Sequence, residues 1–242
     1  MTLDVRLFPC LNDNYGLLAR DAATGAVAAI DTPDAAVILA ELERSGWGRL
    51  DLILNTHWHP DHTQGNARLK AETGCEIVGP EEVRKAAPID RIVAGGDMVT
   101  VGETVLEVTD APGHTLGHIV YRSVADAQAF VGDVLFNLGC GRLFEGTPEQ
   151  MHASLQTLAA WPDETVVWCA HEYTAANARF ALSLDDRPEM IARAQAIFAM
   201  RERGEATVPT TIGLEKAFNP FMRAADAADF AARRAAKDVF TA

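Results

Sequence analysis

Two spacings of apolar residues divide the chain into segments of predicted strand and predicted helix. Apolar residues alternate or run together in residues 3–10, 16–21 and 26–31, and polar turns separate these segments, which is typical of β-strands. Residues 35–48 instead repeat apolar side chains at helical spacing and end in glycine, which predicts a helix. The short, nearly continuous apolar segment 50–56 predicts a strand that is covered on both faces.

The same two patterns predict a mixed α/β region that is followed by helices alone. Further strands are predicted at 76–79, 97–101, 104–111, 119–124, 127–136 and 165–170, and further helices at 65–75 and 147–161. Beyond about residue 175 only the helical spacing recurs, in 176–185, 187–204 and 225–240. This shift predicts a larger α/β domain, residues 1–174, and a small all-helical C-terminal domain, residues 175–242.

Histidine and aspartate residues follow several of the predicted strands. The segment THWHPDH, residues 56–62, comes directly after the buried strand and holds three of the seven histidines in the chain. Later strands are followed by His114, Asp133 and His171. Because open α/β sheets bind ligands at the carboxyl ends of their strands, four separate segments are expected to bring these side chains to one place.

Imidazoles and carboxylates together are the donor set that zinc-like ions take from proteins. The four segments offer seven potential ligands, more than the roughly four that one ion needs, so we expect two ions, with Asp133 able to bridge them. A structural zinc site is disfavoured, because such sites are rich in cysteine and no cysteine belongs to these segments. Asp31 is either a hydrogen-bonding partner of a metal-bound imidazole or an ordinary turn carboxylate.

Composition and charge limit the class of protein and its partners. The 242 residues are 48% hydrophobic and 23% charged, as in ordinary soluble proteins, and no apolar run approaches the roughly 20 residues that span a bilayer. The start lacks a secretory signal pattern, and the four cysteines form no CxxC pair. We therefore expect a cytoplasmic monomer that binds no membrane.

The net charge of −13 argues against nucleic acid as a partner and requires a local cationic pocket for any anionic substrate.

The ligand-bearing segments resemble the metallo-β-lactamase superfamily. The resemblance rests on T-H-x-H-x-D-H at 56–62, G-H-T-x-G-H at 113–118, the G-D pair at 132–133 and the late His171. It covers roughly residues 1–174 and implies a four-layer αβ/βα sandwich with a dinuclear metal site on its upper edge. The ligands that it implies are His57, His59 and His114 for one metal, Asp61, His62 and His171 for the other, and Asp133 as the bridge between them.

Segments outside the ligand motifs resemble glyoxalase II, the hydroxyacylglutathione hydrolase family. These segments are 140–151, 170–181, 216–223 and the closing RRAAKDVF, residues 233–240. The resemblance implies that the C-terminal domain binds glutathione and that the substrate contacts are Arg142, Phe144, Tyr173, Arg234 and Lys237. Arg234 and Lys237 would lie on one helix face and supply the cationic pocket. Arg142 and Phe144 stand where the family often has Lys and Tyr, so the donor geometry differs and a hydroxyl donor is missing.

The activity that this second resemblance implies is hydrolysis of the thioester S-D-lactoylglutathione to D-lactate and glutathione. A thiolester hydrolase of this kind completes methylglyoxal detoxification and takes a small-molecule glutathione thioester as its partner. Two divalent ions, which we expect to be Zn²⁺ although Fe or Mn suit the same ligands, would bridge a hydroxide that attacks the carbonyl. Asp61 and Asp133 would be catalytic as well as ligating, with Asp61 managing the proton of the hydroxide.

The sequence leaves other functions open. A glutathione persulfide dioxygenase with one iron carries much of the same histidine motif, and another thioesterase of the same fold is also possible. A non-enzymatic binding module braced by metal ions is an alternative of a different class. The segments 216–223 and 233–240 favour the hydrolase, Asp133 argues against a β-lactamase, and the net charge of −13 argues against a ribonuclease.

Overall fold

The computed structural model describes residues 3–241 and divides them into two compact units. Residues 1, 2 and 242, the outermost residues of the two predicted domains, lie outside this range. One unit contains the described residues up to Asp110 together with Gly117–Gly132, and the other contains Ala111–Leu116 and the described residues from Asp133 onward. These units divide the chain at other positions than the domains 1–174 and 175–242, which stay a prediction.

The first sheet of the first unit has six strands in chain order. They are β1 (Leu3–Cys10), β2 (Asn14–Asp21), β3 (Val27–Ile30), β4 (Leu52–Leu54), β5 (Glu76–Gly79) and β6 (Arg91–Ile92). Strands β1 to β3 pair antiparallel, and β3 to β6 pair parallel. The central strands β3 and β4 are buried along their whole length, which confirms the prediction from the continuous apolar run.

Helices cover one face of this sheet and complete its apolar core. They are α1 (Ala35–Arg44), the four-residue α2 (Pro60–Thr63) and α3 (Asn66–Thr73), with a 3-10 turn at Glu81–Lys85. Asp34 caps α1 by accepting hydrogen bonds from the backbone N–H groups of the first turn. Ile38 and Leu42 of α1 pack with Leu69 of α3 against Leu18 and Ile53 of the sheet, so the predicted helix forms because its apolar face is buried.

The same unit also holds four antiparallel strands of a second sheet, β7 (Met98–Val101), β8 (Thr104–Asp110), β9 (Ile119–Ser123) and β10 (Gln128–Gly132). Tyr121 on β9 donates a hydrogen bond to the carbonyl of Asn55 (2.8 Å) and so links the two sheets. The prediction of one strand over residues 127–136 is wrong. The chain turns at Gly132, whose positive φ of 49° ends β10 because glycine tolerates this conformation.

The second unit holds short strands and most of the helices. Its strands are β11 (Leu135–Phe136), β12 (Gly139–Cys140), β13 (Val166–Cys169) and β14 (Thr210–Thr211), and its helices are α4 (Pro148–Ala159), α5 (Thr174–Leu184), α6 (Pro188–Glu202), α7 (Ile212–Phe218) and α8 (Ala227–Asp238). Thr147 and Gln150 form a capping box at the start of α4. The predicted helices are confirmed. The pattern did not signal β14, which pairs with β13, or α7.

The described residues therefore have the expected α/β class with a predominantly helical C-terminal region. In residues 3–241, every helix is too short or too polar to cross a membrane.

Candidate functional site

The segment that follows β4 carries four of the predicted metal ligands. His57 and His62 are buried, and His59 and Asp61 are partly exposed. The Nε2 atom of His57 lies 3.0 Å from Nδ1 of His59, and Nε2 of His62 lies 3.4 Å from Oδ2 of Asp61. The first unit thus brings nitrogen and carboxylate donors together within one short loop.

Local hydrogen bonds hold this loop in shape. Pro60 occupies the first turn of α2, where its missing N–H costs nothing. Asn55 donates from its side chain to the carbonyl of His62 (2.9 Å), and Thr63 donates to the carbonyl of His59 (3.0 Å). The ligand side chains therefore project from a backbone whose polar groups are already paired.

Asp31 orients the buried imidazoles of this loop. Its carboxylate accepts hydrogen bonds from Nδ1 of His62 (2.9 Å) and from the hydroxyl of Thr56 (2.8 Å). Since the single hydroxyl proton of Thr56 goes to Asp31, the 3.0 Å contact between Thr56 and Nδ1 of His57 requires His57 to donate. Both imidazoles then keep Nε2 as an electron-pair donor, which is the arrangement that metal ligands need. Of the two roles open for Asp31, the structure supports the partner of an imidazole.

Two residues without a predicted ligand role complete the surroundings of this loop. His118 is buried and stacks on His57, with ring centroids 4.7 Å apart. Gly132 makes room for it, because a Cβ there would lie 2.8 Å from Nε2 of His118. Asn14 is also buried and donates to Oδ2 of Asp61 (3.0 Å). Sequence reasoning missed Asn14, although the NDNYG turn that contains it marked a break between strands.

The second unit brings together the other three predicted ligands. His114, Asp133 and His171 are all buried. The two carboxylate oxygens of Asp133 face different imidazoles, with 3.4 Å to Nε2 of His114 and 3.3 Å to Nε2 of His171. His114 donates from Nδ1 to the carbonyl of Arg142 (2.8 Å), so its Nε2 is again the atom left for a ligand role. A carboxylate between two such nitrogens suits a bridging position.

A pocket of about 460 Å³ opens beside this group within the second unit. His114 and Asp133 line it together with all five predicted substrate contacts, Arg142, Phe144, Tyr173, Arg234 and Lys237. Tyr173 stacks on His171 with centroids 4.8 Å apart and nearly parallel planes, and Phe144 meets His114 edge to face. The pocket therefore joins aromatic surface and positive charge to the candidate ligands.

The three cationic side chains of the pocket differ in how exposed they are and in which groups they already contact. The side chain of Arg142 is 69% exposed. Arg234 is only 6% exposed and donates to Asp238 (2.8 and 3.1 Å) and to the carbonyl of Cys140 (3.0 Å). Lys237 donates to the carbonyl of Ala176 (3.0 Å), and burial, with the nearby arginines, lowers its pKa. Arg142 and Lys237 present charge to the pocket more directly than Arg234 does.

The donor groups that fit divalent metal ions consist of imidazoles and carboxylates, and no cysteine belongs to these groups among the described residues. Burial raises the pKa of Cys10 and Cys169 to about 12 and that of Cys140 to about 11, so these thiols stay protonated near neutral pH. The imidazoles, in contrast, have their Nδ1 atoms engaged and their Nε2 atoms directed toward other donors. Such oriented nitrogens, combined with carboxylates, are typical of catalytic metal sites.

Family comparisons match both parts of the sequence. The family model described as metallo-beta-lactamase superfamily matches residues 24–171, and the one described as hydroxyacylglutathione hydrolase C-terminus matches residues 172–242. The first range contains the seven predicted ligands, and the second contains α8 with Arg234 and Lys237.

Individual proteins and structures are similar along nearly the whole chain. The hydroxyacylglutathione hydrolase of Erythrobacter litoralis is 48% identical over 98% of this chain and 100% of its own length. That of Maricaulis maris is 53% identical over 93% of this chain and 88% of its own length. Among solved structures, ETHE1 from Myxococcus xanthus has a TM-score of 0.74 at 26% identity and covers 98% of this chain and 90% of that one.

Proposed function

The chain belongs to the hydroxyacylglutathione hydrolase family of the metallo-β-lactamase superfamily, and from this membership we propose that it hydrolyses S-D-lactoylglutathione to D-lactate and glutathione. It is a thiolester hydrolase with the metallo-β-lactamase fold and a C-terminal helical region. The observation that carries the substrate assignment is the pocket of the second unit, in which aromatic and cationic side chains adjoin His114 and Asp133.

The proposed metal ligands come from both groups described above. We assign His57, His59 and His114 to one ion, Asp61, His62 and His171 to the other, and Asp133 to both. When bound, two divalent ions, which we expect to be Zn²⁺, would acidify water and polarise the thioester carbonyl. The chemistry of each group and the family motif support this assignment.

Residues around the ligands hold protons and fix orientations. Asp61 receives the side-chain N–H of Asn14 on Oδ2, which fixes the orientation of the carboxylate that would accept the proton of the attacking water. Asp31 accepts from Nδ1 of His62, which fixes the proton on that nitrogen and keeps the lone pair of Nε2 for a ligand role. These contacts hold the ring and the carboxylate in one geometry before substrate arrives.

The pocket of the second unit would hold the glutathione part of the substrate. Arg142 and Lys237 would bind the glycine carboxylate, since both present cationic donors to the cavity. Tyr173 would donate to the peptide, and the ring of Phe144 would pack on it. Arg234, which also lines the pocket, would add positive charge to this site, and its guanidinium ties the carbonyl of Cys140 to the end of α8.

Incubation with S-D-lactoylglutathione tests this function. We expect free thiol and D-lactate to appear in equal amounts, with no oxygen uptake when glutathione persulfide replaces the thioester. Oxygen uptake with the persulfide, and no thiol release from the thioester, would instead support the dioxygenase alternative. Elemental analysis of the same sample counts the metal ions per chain.

Replacing Lys237 with alanine should weaken substrate binding more than it slows the chemical step. A hydrogen bond to a charged group is worth about 1.5–3 kcal/mol, so we expect KM to rise about tenfold or more while kcat changes by less than about threefold. The measurement is steady-state kinetics with S-D-lactoylglutathione. Lys216→Ala is the matched control, because Lys216 is exposed and pairs with Asp163. An unchanged KM in Lys237→Ala would remove this residue from the binding site.

A further inference from the structure

One acidic side chain lies among the cations of the substrate pocket. Asp238, at the end of α8, lines the same cavity as Arg142, Arg234 and Lys237. Its Oδ1 atom accepts from Nε (3.1 Å) and Nη2 (2.8 Å) of Arg234 and lies 3.9 Å from Nε of Arg142. A carboxylate of the protein thus already occupies part of the cationic surface that would receive the carboxylate of glutathione.

The position of Asp238 is not that of an ordinary buried counterion. Its side chain is 43% exposed, whereas that of Arg234 is 7% exposed, so the carboxylate is the more accessible partner of this ion pair. A second carboxylate that approaches Arg142 or Lys237 meets this negative charge nearby. Because solvent screens such contacts only partly, like charges a few ångströms apart still repel.

We propose that Asp238 is an affinity-limiting residue that weakens the hold of the pocket on the glycine carboxylate of glutathione. This inference rests on the proposed function. The carboxylate accepts from two donors of Arg234 and offsets part of the charge of Arg142, while Lys237 donates to the carbonyl of Ala176. Substrate and product share the glutathione part, so Asp238 weakens both complexes by the same factor and favours the release of glutathione.

The test compares Asp238→Asn with the native enzyme. Asparagine keeps the size of the side chain and a carbonyl that can accept from Arg234, but it removes the negative charge. At about 0.01 M ionic strength, where the Debye length is about 30 Å, we expect the KM for S-D-lactoylglutathione and the Kd for glutathione each to fall about fivefold. Near 1 M salt, where that length is about 3 Å, the difference should largely vanish.

Two controls separate this effect from a change in net charge or in folding. Asp163→Asn removes the same charge from an exposed site paired with Lys216, and its Kd for glutathione should match that of the native enzyme. Glutathione amidated at its glycine carboxylate should bind Asp238→Asn and the native enzyme equally. A Kd for glutathione that is unchanged or raised in Asp238→Asn overturns the proposal, and so does equally tightened binding of the amide.

Direct binding keeps this test apart from the test of the proposed function. Calorimetry measures the Kd for glutathione without turnover, so an enzyme that fails to hydrolyse the thioester contradicts the function while leaving the Asp238 comparison intact. If Asp238→Asn lowers Tm and does not fold at the assay temperature, Asp238→Ser serves as the second variant, with the same expected fall in Kd.

Discussion

Replacing Asp133 with alanine should abolish thioester hydrolysis in a protein that stays folded. Asp133 is buried, and its two carboxylate oxygens lie 3.4 Å from His114 and 3.3 Å from His171. Removing it takes away the proposed bridge between two ions. Since even residues that only orient metal ligands account for roughly 10- to 100-fold in activity or affinity, we expect kcat to fall by at least about a hundredfold.

The same variant separates an enzyme from a metal-braced binding module. Turnover and Tm are measured together, with Asp163→Ala as a control at an exposed carboxylate of the same unit. If the protein is a hydrolase, we expect turnover to be lost while Tm stays close to that of the native protein. Full turnover in Asp133→Ala would contradict a bridging role for this carboxylate.

Replacing His59 with alanine should remove both metal and activity. His59 is partly exposed, and its Nδ1 atom lies 3.0 Å from Nε2 of His57, so the two nitrogens are placed to share one cation. Without His59 we expect the bound metal to fall by about one ion per chain, because a first ligand contributes more to affinity than the orienting partners do. Activity should fall by at least about a hundredfold as well.

His152 provides the matched control for this experiment. It is a partly exposed histidine on α4 whose Nε2 contacts the carbonyl of Ala224 (3.3 Å), and it belongs to neither ligand group. His152→Ala should keep the native metal content by elemental analysis. A His59→Ala protein that stays fully metallated and active would overturn the ligand assignment for the first ion.

The positions of the candidate ligands were predictable because they follow strands. The apolar run before residues 56–62 marked β4, and the ends of the other strands marked His114 and His171. The break at Gly132 was not predictable from apolar spacing, since the run from 127 to 136 continues through it. Glycine is required at position 132 because the backbone has a positive φ there and because a Cβ would clash with His118 and Thr56. Both conditions arise only in the folded protein.

Contacts between residues far apart in sequence could not be predicted from one chain. Asn14 and Asp61 are 47 positions apart, and Arg234 reaches Cys140 over 94 positions. Neither pairing follows from a period or a motif, because only the folded packing sets these distances. The strand β14 was not predicted for a different reason. Its two residues are too few to show an alternation of apolar and polar side chains.

Metal titration of the metal-free protein tests whether thioester hydrolysis requires two bound ions per chain. Zn²⁺ is added in steps while hydrolysis of S-D-lactoylglutathione is followed, and bound metal is counted at each step. We expect no thioesterase activity without metal and a rise in activity that ends at two ions per chain. Full activity in the metal-free protein, or a plateau at one ion per chain, would contradict the requirement for two ions.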